Sequence, residues 1–420
     1  MMAHRDADGT DCDGRSLIED VRSKMAYRMT MRVMNELNIK NFGPIKDAHM
    51  VMGDLTVLIG AQASGKSLCL QLLKLLLDKR YVAATMDKYN YVIAKNPDNI
   101  LNFYFGEGLA GMWTEDTVIT DGVNTYKKTG LLGKGNPNAQ EQLFYIPAQR
   151  IISISDGRPK NFMEYDSSTP FVLRQFSETL RMFFQYGLNG SRVVFPIGYR
   201  LKSGVKTSLQ KSIFHDGRVT IDDRSGQKKM QLSVGRMNIP FMAWSAGQKE
   251  FMPLLMAFYC LSGPPQNVID RSQYSYVVLE EPEMGLHPQA IQSVLLQTME
   301  LVQNGYKVIL STHSQVLLEF AWAFNYIKGS DATTVQKERL LQKMFGVERY
   351  ESIGNMLEGV FSKSINTFYF VDKGEGVKTV DVSSLDVSHD DIDVAEWGGL
   401  SQFSGRTSDI VSQVINGDYE

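Results

Sequence analysis

Gly60-Ala61-Gln62-Ala63-Ser64-Gly65-Lys66-Ser67 carries more information than any other stretch of this 420-residue chain. It fits G-x-x-x-x-G-K-[ST]. An apolar run, Asp54–Ile59, precedes it and reads as a buried strand. The leucine-rich run from Ser67 to about Lys79 reads as a helix. A chance glycine loop would have neither flank, and a strand–loop–helix setting is what the motif requires. Glycines let backbone N–H groups curl around an anion, and the helix N-terminus adds partial positive charge. The candidate nucleotide-binding residues are therefore Gly60, Ala61, Ala63, Ser64, Gly65, Lys66 and Ser67. Lys66 is placed to reach the β- and γ-phosphates of ATP, and the Ser67 hydroxyl to ligate Mg²⁺.

Three further signals lie downstream. Tyr276-Val277-Val278-Leu279-Glu280-Glu281 is an apolar strand ending in two carboxylates. Successive side chains of a strand alternate in direction, so the two acids do different work. Glu280 is the candidate for the Mg²⁺ shell, and Glu281 for orienting or deprotonating the attacking water. Ser245-Ala246-Gly247-Gln248 opens a helix that runs to about Cys260; by itself such a serine is an ordinary N-cap. Val308-Ile309-Leu310-Ser311-Thr312-His313 is another buried strand. His313 ends it where ligands sit in open α/β sheets, within reach of the γ-phosphate or the attacking water.

Further out, strands are expected at Arg32–Asn41, Ile45–Val51, Thr367–Asp372 and Val377–Val382. Helices are expected at Phe171–Tyr186, Pro288–Val302 and Ser408–Ile415, with a short one around Ser16–Lys24, and a hairpin at Arg218–Leu232. The region 81–240 is otherwise weakly patterned. Within it, Arg200–Lys229 holds eight Lys/Arg against three Asp, either a solvated surface or a contact for nucleic acid or an acidic protein. Hydrophobic residues are 43% and charged residues 22%, as in ordinary globular chains, and the net charge is −3. A surface basic throughout is thereby excluded. Cys12, Cys69 and Cys260 lack metal spacing, which fits a reducing compartment rather than a disulfide framework. No apolar run is long enough to span a bilayer and the N-terminus has no signal-peptide pattern, so the expected location is the cytoplasm, away from membranes.

The order of phosphate loop, Ser-x-Gly-Gln, acidic strand and His strand resembles the ABC-type ATPase superfamily. Leu37-Asn38-Ile39-Lys40-Asn41-Phe42-Gly43-Pro44-Ile45 and Glu280-Glu281-Pro282-Glu283-Met284-Gly285-Leu286-His287-Pro288 look like the SMC, RecF and OLD branch, as does Tyr145-Ile146-Pro147-Ala148-Gln149-Arg150. The resemblance covers Arg32–Leu76 and Met242–Leu318. It implies an α/β fold: a P-loop ABC-type ATPase with a mixed or antiparallel lobe, a RecA-like parallel core and a helical insert. The expected organisation is a poorly ordered leader over 1–30, and an ATPase domain over 31–330 with its insert at about 81–240. C-terminal strands and a helix over 331–420 pack on that core. The resemblance also implies that Ser245, Gly247 and Gln248 of one subunit contact the γ-phosphate held by another, giving a head-to-tail dimer or higher homo-oligomer. Gln149 is the candidate for the glutamine that reaches the metal and couples the lobes. Two departures stand out: the signature reads Ser-Ala-Gly-Gln rather than Ser-Gly-Gly-Gln, and Glu280 replaces the Asp of many relatives, which lengthens its reach.

No heptads are present for SMC-type arms. The tail after His313 has no clear acidic set for the Toprim nuclease of OLD proteins; Asp390-Asp391-Ile392-Asp393 reads as a solvated loop. The chain thus resembles OLD-like ATPases that stand alone as sensor or scaffold subunits of bacterial antiphage systems, PARIS and Septu among them. The expected function is an ATP-hydrolysing subunit that controls a separate effector, a Toprim nuclease or other toxin, in response to a phage-encoded trigger. The alternatives are a RecF-like repair ATPase that clamps DNA through 200–229, and an ATP-switched scaffold with negligible turnover.

Overall fold

The computed structural model describes residues 33–91, 96–131, 135–224, 226–263, 268–347, 351–386, 389–397, 399, 406–408 and 410–413. The expected leader, the helix around Ser16–Lys24 and Cys12 lie outside the described residues, as do residues 414 and 415 of the expected final helix. Contacts divide the chain into Met1–Met34 and Asn35–Glu420, and every element below belongs to the second unit.

The strands β1 (Glu36–Phe42) and β2 (Ile45–Val51) form an antiparallel hairpin around Gly43, whose φ of 54° makes the turn. The next strand, β3 (Leu55–Gly60), is buried along its whole length and feeds the glycine loop into α1 (Lys66–Lys88). That helix is longer than the Ser67–Lys79 run expected from the leucines, and it passes through a kink at Asp78 (φ −112°, ψ 20°). The cause is local chemistry. The Asp78 carboxylate accepts the backbone N–H groups of Gln142 and Leu143 at 2.8 and 3.1 Å, and pairs with Lys74 at 2.7 Å. Lys74 also meets Glu141 at 2.5 Å, all three side chains being buried. Removing one member of such a cluster costs about 3–5 kcal/mol, because the others stay buried without a partner. The cluster fixes α1 to the following core strand.

After β4 (Trp113–Thr120) and β5 (Thr125–Tyr126) comes that strand, β6 (Leu143–Ile146), then the short pair β7 (Ile154–Ser155) and β8 (Arg158–Pro159). The amphipathic helix α2 (Phe171–Met182) continues into a π turn over Phe183–Gly187. A separate antiparallel sheet follows: β9 (Val193–Phe195), β10 (Arg218–Asp222), β11 (Lys229–Val234) and β12 (Met237–Pro240), in the order β12-β11-β10-β9. It contains the expected Arg218–Leu232 hairpin as its centre.

The helix α3 (Ala246–Leu261) is buried without interruption from Phe251 to Leu261, so it is a central rather than a surface helix. Each large apolar side chain so enclosed contributes roughly 1.5–3 kcal/mol. It is followed by β13 (Tyr276–Glu280), α4 (Pro288–Gln303), β14 (Lys307–Ser311) and α5 (Gln315–Gly329). Finally β15 (Ile365–Asp372) and β16 (Val377–Asp381) enter the main sheet itself. Its order is β5-β4-β1-β2-β16-β15-β3-β14-β13-β6. The run β15-β3-β14-β13-β6 is parallel throughout, whereas β1 pairs antiparallel with β2 and β4. The chain thus has a mixed α/β architecture with a parallel core, an antiparallel lobe and a glycine loop between β3 and α1. Crossovers bring the carboxyl ends of β3, β13 and β14 to one edge, where open α/β sheets bind ligands.

Candidate functional site

At that edge the Gly60–Ser67 loop closes on itself. Lys66 is buried, and its Nζ donates to the Gly60 and Ala61 carbonyls, both at 2.8 Å, and to Ser64 Oγ at 3.2 Å. All three acceptors are neutral, so the ammonium charge remains available to a phosphate. Burial lowers the Lys66 pKa, and the negative charges of Glu281 and Glu283 oppose that shift. Gly60 (φ 148°) and Gly65 (φ 86°) take conformations that favour glycine. A Cβ on Gly60 would lie 2.5 Å from the Phe370 carbonyl oxygen, and one on Gly65 would lie 2.9 Å from Ile45 Cγ1. The loop therefore has backbone of β15 on one side and the β1–β2 turn on the other. Its outer face opens into a cleft of about 320 Å³ lined by Gln62–Leu68, Glu281 and His313.

Glu280 and Glu281 part as strand alternation requires. Glu280 is buried and accepts the Ala148 N–H at 3.2 Å, while its Oε1 has no well-aligned partner. Burial pushes its carboxyl up to about 7, although the nearby Ser67 and Tyr145 hydroxyls and the Ala148 N–H pull the other way. An unmatched buried carboxylate oxygen beside the Ser67 hydroxyl suits a hard divalent cation. Mg²⁺ takes few protein ligands and completes its shell with water and phosphate oxygens. Consistent with that sparse ligation, no group of three or more His, Cys, Asp or Glu is arranged for a metal among the described residues. Glu281 instead projects into the cleft, its Oε1 3.2 Å from His313 Nε2.

Two residues given no role from the sequence hold this arrangement. Glu283 Oε1 accepts the Thr312 hydroxyl at 2.6 Å and the His313 N–H at 2.8 Å, which fixes the loop carrying His313. Arg150 is fully buried and donates to backbone carbonyls of Glu280, Glu281 and Pro282 at 3.3, 3.2 and 3.1 Å. Sequence gave little warning of either. An Arg after a strand reads as exposed by residue type, and only its place beside Tyr145–Gln149 hinted otherwise.

The other expected residues lie elsewhere. Ser245 caps α3 in a full capping box: its Oγ accepts the Gln248 N–H at 3.3 Å, and Gln248 Oε1 accepts the Ser245 N–H at 3.2 Å. Gln248 Nε2 also donates to the Ile213 carbonyl at 3.1 Å. Ser245, Gly247 and Gln248 are not among the residues lining the Lys66 cleft, and neither is Gln149, whose side chain is exposed. In the basic segment, Arg200 is buried and donates to the Tyr259 and Ser262 carbonyls at 2.7 and 3.3 Å, so it serves the end of α3. Arg224 pairs with Asp222 at 2.8 Å, and Lys229 pairs with Asp156. Cys69 and Cys260 are buried thiols. Among the described residues, no helix is long and apolar enough to cross a membrane.

Residues 33–106 match a family model described as "AAA ATPase domain", and residues 204–319 match one described as "AAA domain, putative AbiEii toxin, Type IV TA system". The Old nuclease of Escherichia phage P2 is 22% identical over 392 residues, covering 81% of this chain. The chain spans 66% of the length of that relative. Among solved structures, the SMC head domain from Thermotoga maritima is similar at 11% identity and a TM-score of 0.34, over 83% of this chain and 99% of that one. A dimeric bacterial ABC transporter cassette is similar at 11% identity and a TM-score of 0.30, over 68% of this chain and 90% of that one. One ATPase model takes in the Gly60–Ser67 loop and the other takes in the acidic and His strands, and those three parts meet in one cleft: the chain carries AAA-type ATPase regions and is similar to the Old nuclease across most of its length.

Proposed function

We propose that this protein binds Mg²⁺–ATP between two copies of itself, hydrolyses it, and through that cycle controls a separate nuclease or toxin in defence against phage. The observation that carries the nucleotide reading is the cleft in which Lys66, Ser67, Glu281 and His313 converge beside the buried Glu280 carboxylate. Lys66 and the loop N–H groups take the phosphates, and Ser67 and Glu280 take the Mg²⁺. Glu281, oriented by His313, draws a proton from the attacking water. Ser245, Gly247 and Gln248 complete the site of a second copy, since they do not line the cleft of their own chain. The effector reading is supported by kinship to a protein named as a nuclease and to a family described by a toxin system. Its effector is of the Toprim nuclease or toxin class, released when a phage product shifts the ATP state.

The experiment is to express the chain with its neighbouring reading frame and challenge cells with phage. Resistance that needs the neighbour and is lost in Lys66→Ala and Glu281→Gln supports the reading. DNA cleavage by this chain in an effector-free preparation overturns the division of labour. A second reading, a RecF-like DNA clamp, is favoured by the exposed Lys202, Lys211, Arg218 and Lys228. It requires ATP-dependent DNA binding that weakens steeply with salt.

A further inference from the structure

We infer that Arg150 is a positioning residue that transmits the placement of the Ser245–Gln248 helix start to Glu281 in the same chain. The inference rests on the nucleotide reading above and adds a route between its two halves. One guanidinium reaches five backbone carbonyls. Its Nε donates to Glu250 at 3.0 Å, in the first turns of α3. Its Nη1 donates to Ala148, Glu280 and Glu281 at 3.4, 3.3 and 3.2 Å, and its Nη2 to Pro282 at 3.1 Å. The side chain is thus the physical link between the start of α3 and the loop that leaves β13.

Two more contacts make that link stiff. A Cβ on Gly247 would lie 2.8 Å from the Gly285 carbonyl oxygen, and one on Gly285 (φ +71°) would lie 3.3 Å from Glu250 Cγ. The helix start and the 281–286 loop are therefore in direct contact. Glu281 itself has φ 41°, a conformation that a glutamate adopts only when its surroundings hold it there. Its N–H donates to the Ser311 carbonyl at 2.9 Å, and its own carbonyl is held by Arg150. Packed units of this kind move together or switch, rather than deform continuously. When the start of α3 docks on the phosphate of a partner copy, the 281–282 backbone is drawn with it, and the carboxylate of Glu281 is set for its own water. Each site then reports on the other.

Arg150→Lys tests this, because a lysine keeps the charge and loses the planar fork. With the full-length chain, three quantities are measured: ATP affinity, the ATP-dependent dimer fraction, and kcat. The expected result is an unchanged ATP Kd and dimer fraction, with kcat lower by roughly 10²-fold, the loss typical of a catalytic group displaced by about 1 Å. The dependence of rate on ATP is expected to be cooperative in the wild type and hyperbolic in Arg150→Lys. Wild-type kcat in Arg150→Lys overturns the inference, and so does a parallel loss of ATP binding, which marks a purely structural role. Should Arg150→Lys fail to fold, Gly285→Ala disturbs the same contact from the loop side, with the same expected split between kcat and Kd. Wild-type kcat there is equally fatal. A Glu281→Gln chain with full turnover removes Glu281 from the chemistry proposed above, and the inference with it. Normal turnover in Arg150→Lys beside a dead Glu281→Gln breaks the inference alone.

Discussion

Gly60–Ser67 and Ser245–Gln248 are both serine- and glycine-bearing starts of helices, yet the fold treats them differently. The first is enclosed by the β1–β2 turn, the backbone of β15 and the Glu281 side chain, with Lys66 buried among neutral acceptors. The second is exposed at Ser245, with its serine and glutamine satisfied by each other in a capping box. One gathers a cation, an acid and an imidazole about one cleft within a single chain. The other is closed by its own capping box, and on the proposed reading it gains a phosphate only when a second copy supplies one. The difference between them is the presence of a sheet edge: β3, β13 and β14 deliver cation, acid and imidazole to the first, whereas α3 leaves the second facing outward.

The sharpest way to break this comparison is at the cradle's acid. Glu281→Gln removes the base and leaves the cation and loop intact, so turnover should fall by about 10²–10⁴-fold while ATP binding persists. Steady-state phosphate release and nucleotide titration on the same preparation check it, and full turnover would remove Glu281 from the chemistry. Lys66→Ala comes next. It deletes a charge-assisted contact to phosphate, and ATP binding should weaken by about 10–100-fold. Calorimetric titration reads that directly, and an unchanged Kd would show that the cradle does not use its cation.

The outward face is tested by mixing. Lys66→Ala keeps a sound helix start, and Ser245→Arg keeps a sound cradle. Half the dimers in an equal mixture carry one complete site of two, so about a quarter of wild-type turnover should return if the two sites act independently, and about 10²-fold less than that if Arg150 couples them. Trans action is therefore read from ATP-dependent pairing of the two variants as well as from turnover, and no pairing and no turnover together would remove the Ser245 helix from the partner's site. The smallest effect is expected from the basic segment. Reversing Lys202, Lys211 and Lys228 should leave ATP turnover unchanged and flatten the salt dependence of any polyanion binding. A fall in turnover would instead tie this segment to the nucleotide site.

Local patterns account for much of what was legible. The Asp54–Ile59 and Tyr276–Leu279 runs are apolar because they are sheathed on both faces, and such strands announce themselves in any register. The glycines of the loop and the acids at the end of β13 stand at fixed short distances from those strands, so their place at the sheet edge could be named in advance. The length of α1 could not. Its continuation to Lys88 passes through Asp78, and that kink is held by N–H groups of Gln142 and Leu143, more than sixty positions away. The basic segment also reads differently once folded, because Arg200 is a buried carbonyl donor and Arg224 and Lys229 have acidic partners.

The sequence by itself determined the phosphate loop, the strand ending in Glu280 and Glu281, the strand ending in His313 and the class of fold, since each is a short-range pattern that a few neighbouring residues enforce. Tertiary structure alone decided what those parts meet. Only the folded chain places His313 against Glu281, leaves Glu280 Oε1 unmatched beside Ser67, and slides β15 and β16 into the sheet between β3 and β2. Arg150, too, gains its place only when segments around residues 150, 250 and 281 come together around one guanidinium. The physical reason is range: propensity and periodicity act over a few residues, whereas burial, charge pairing and hydrogen bonding across a sheet edge act between parts of the chain that no local pattern connects.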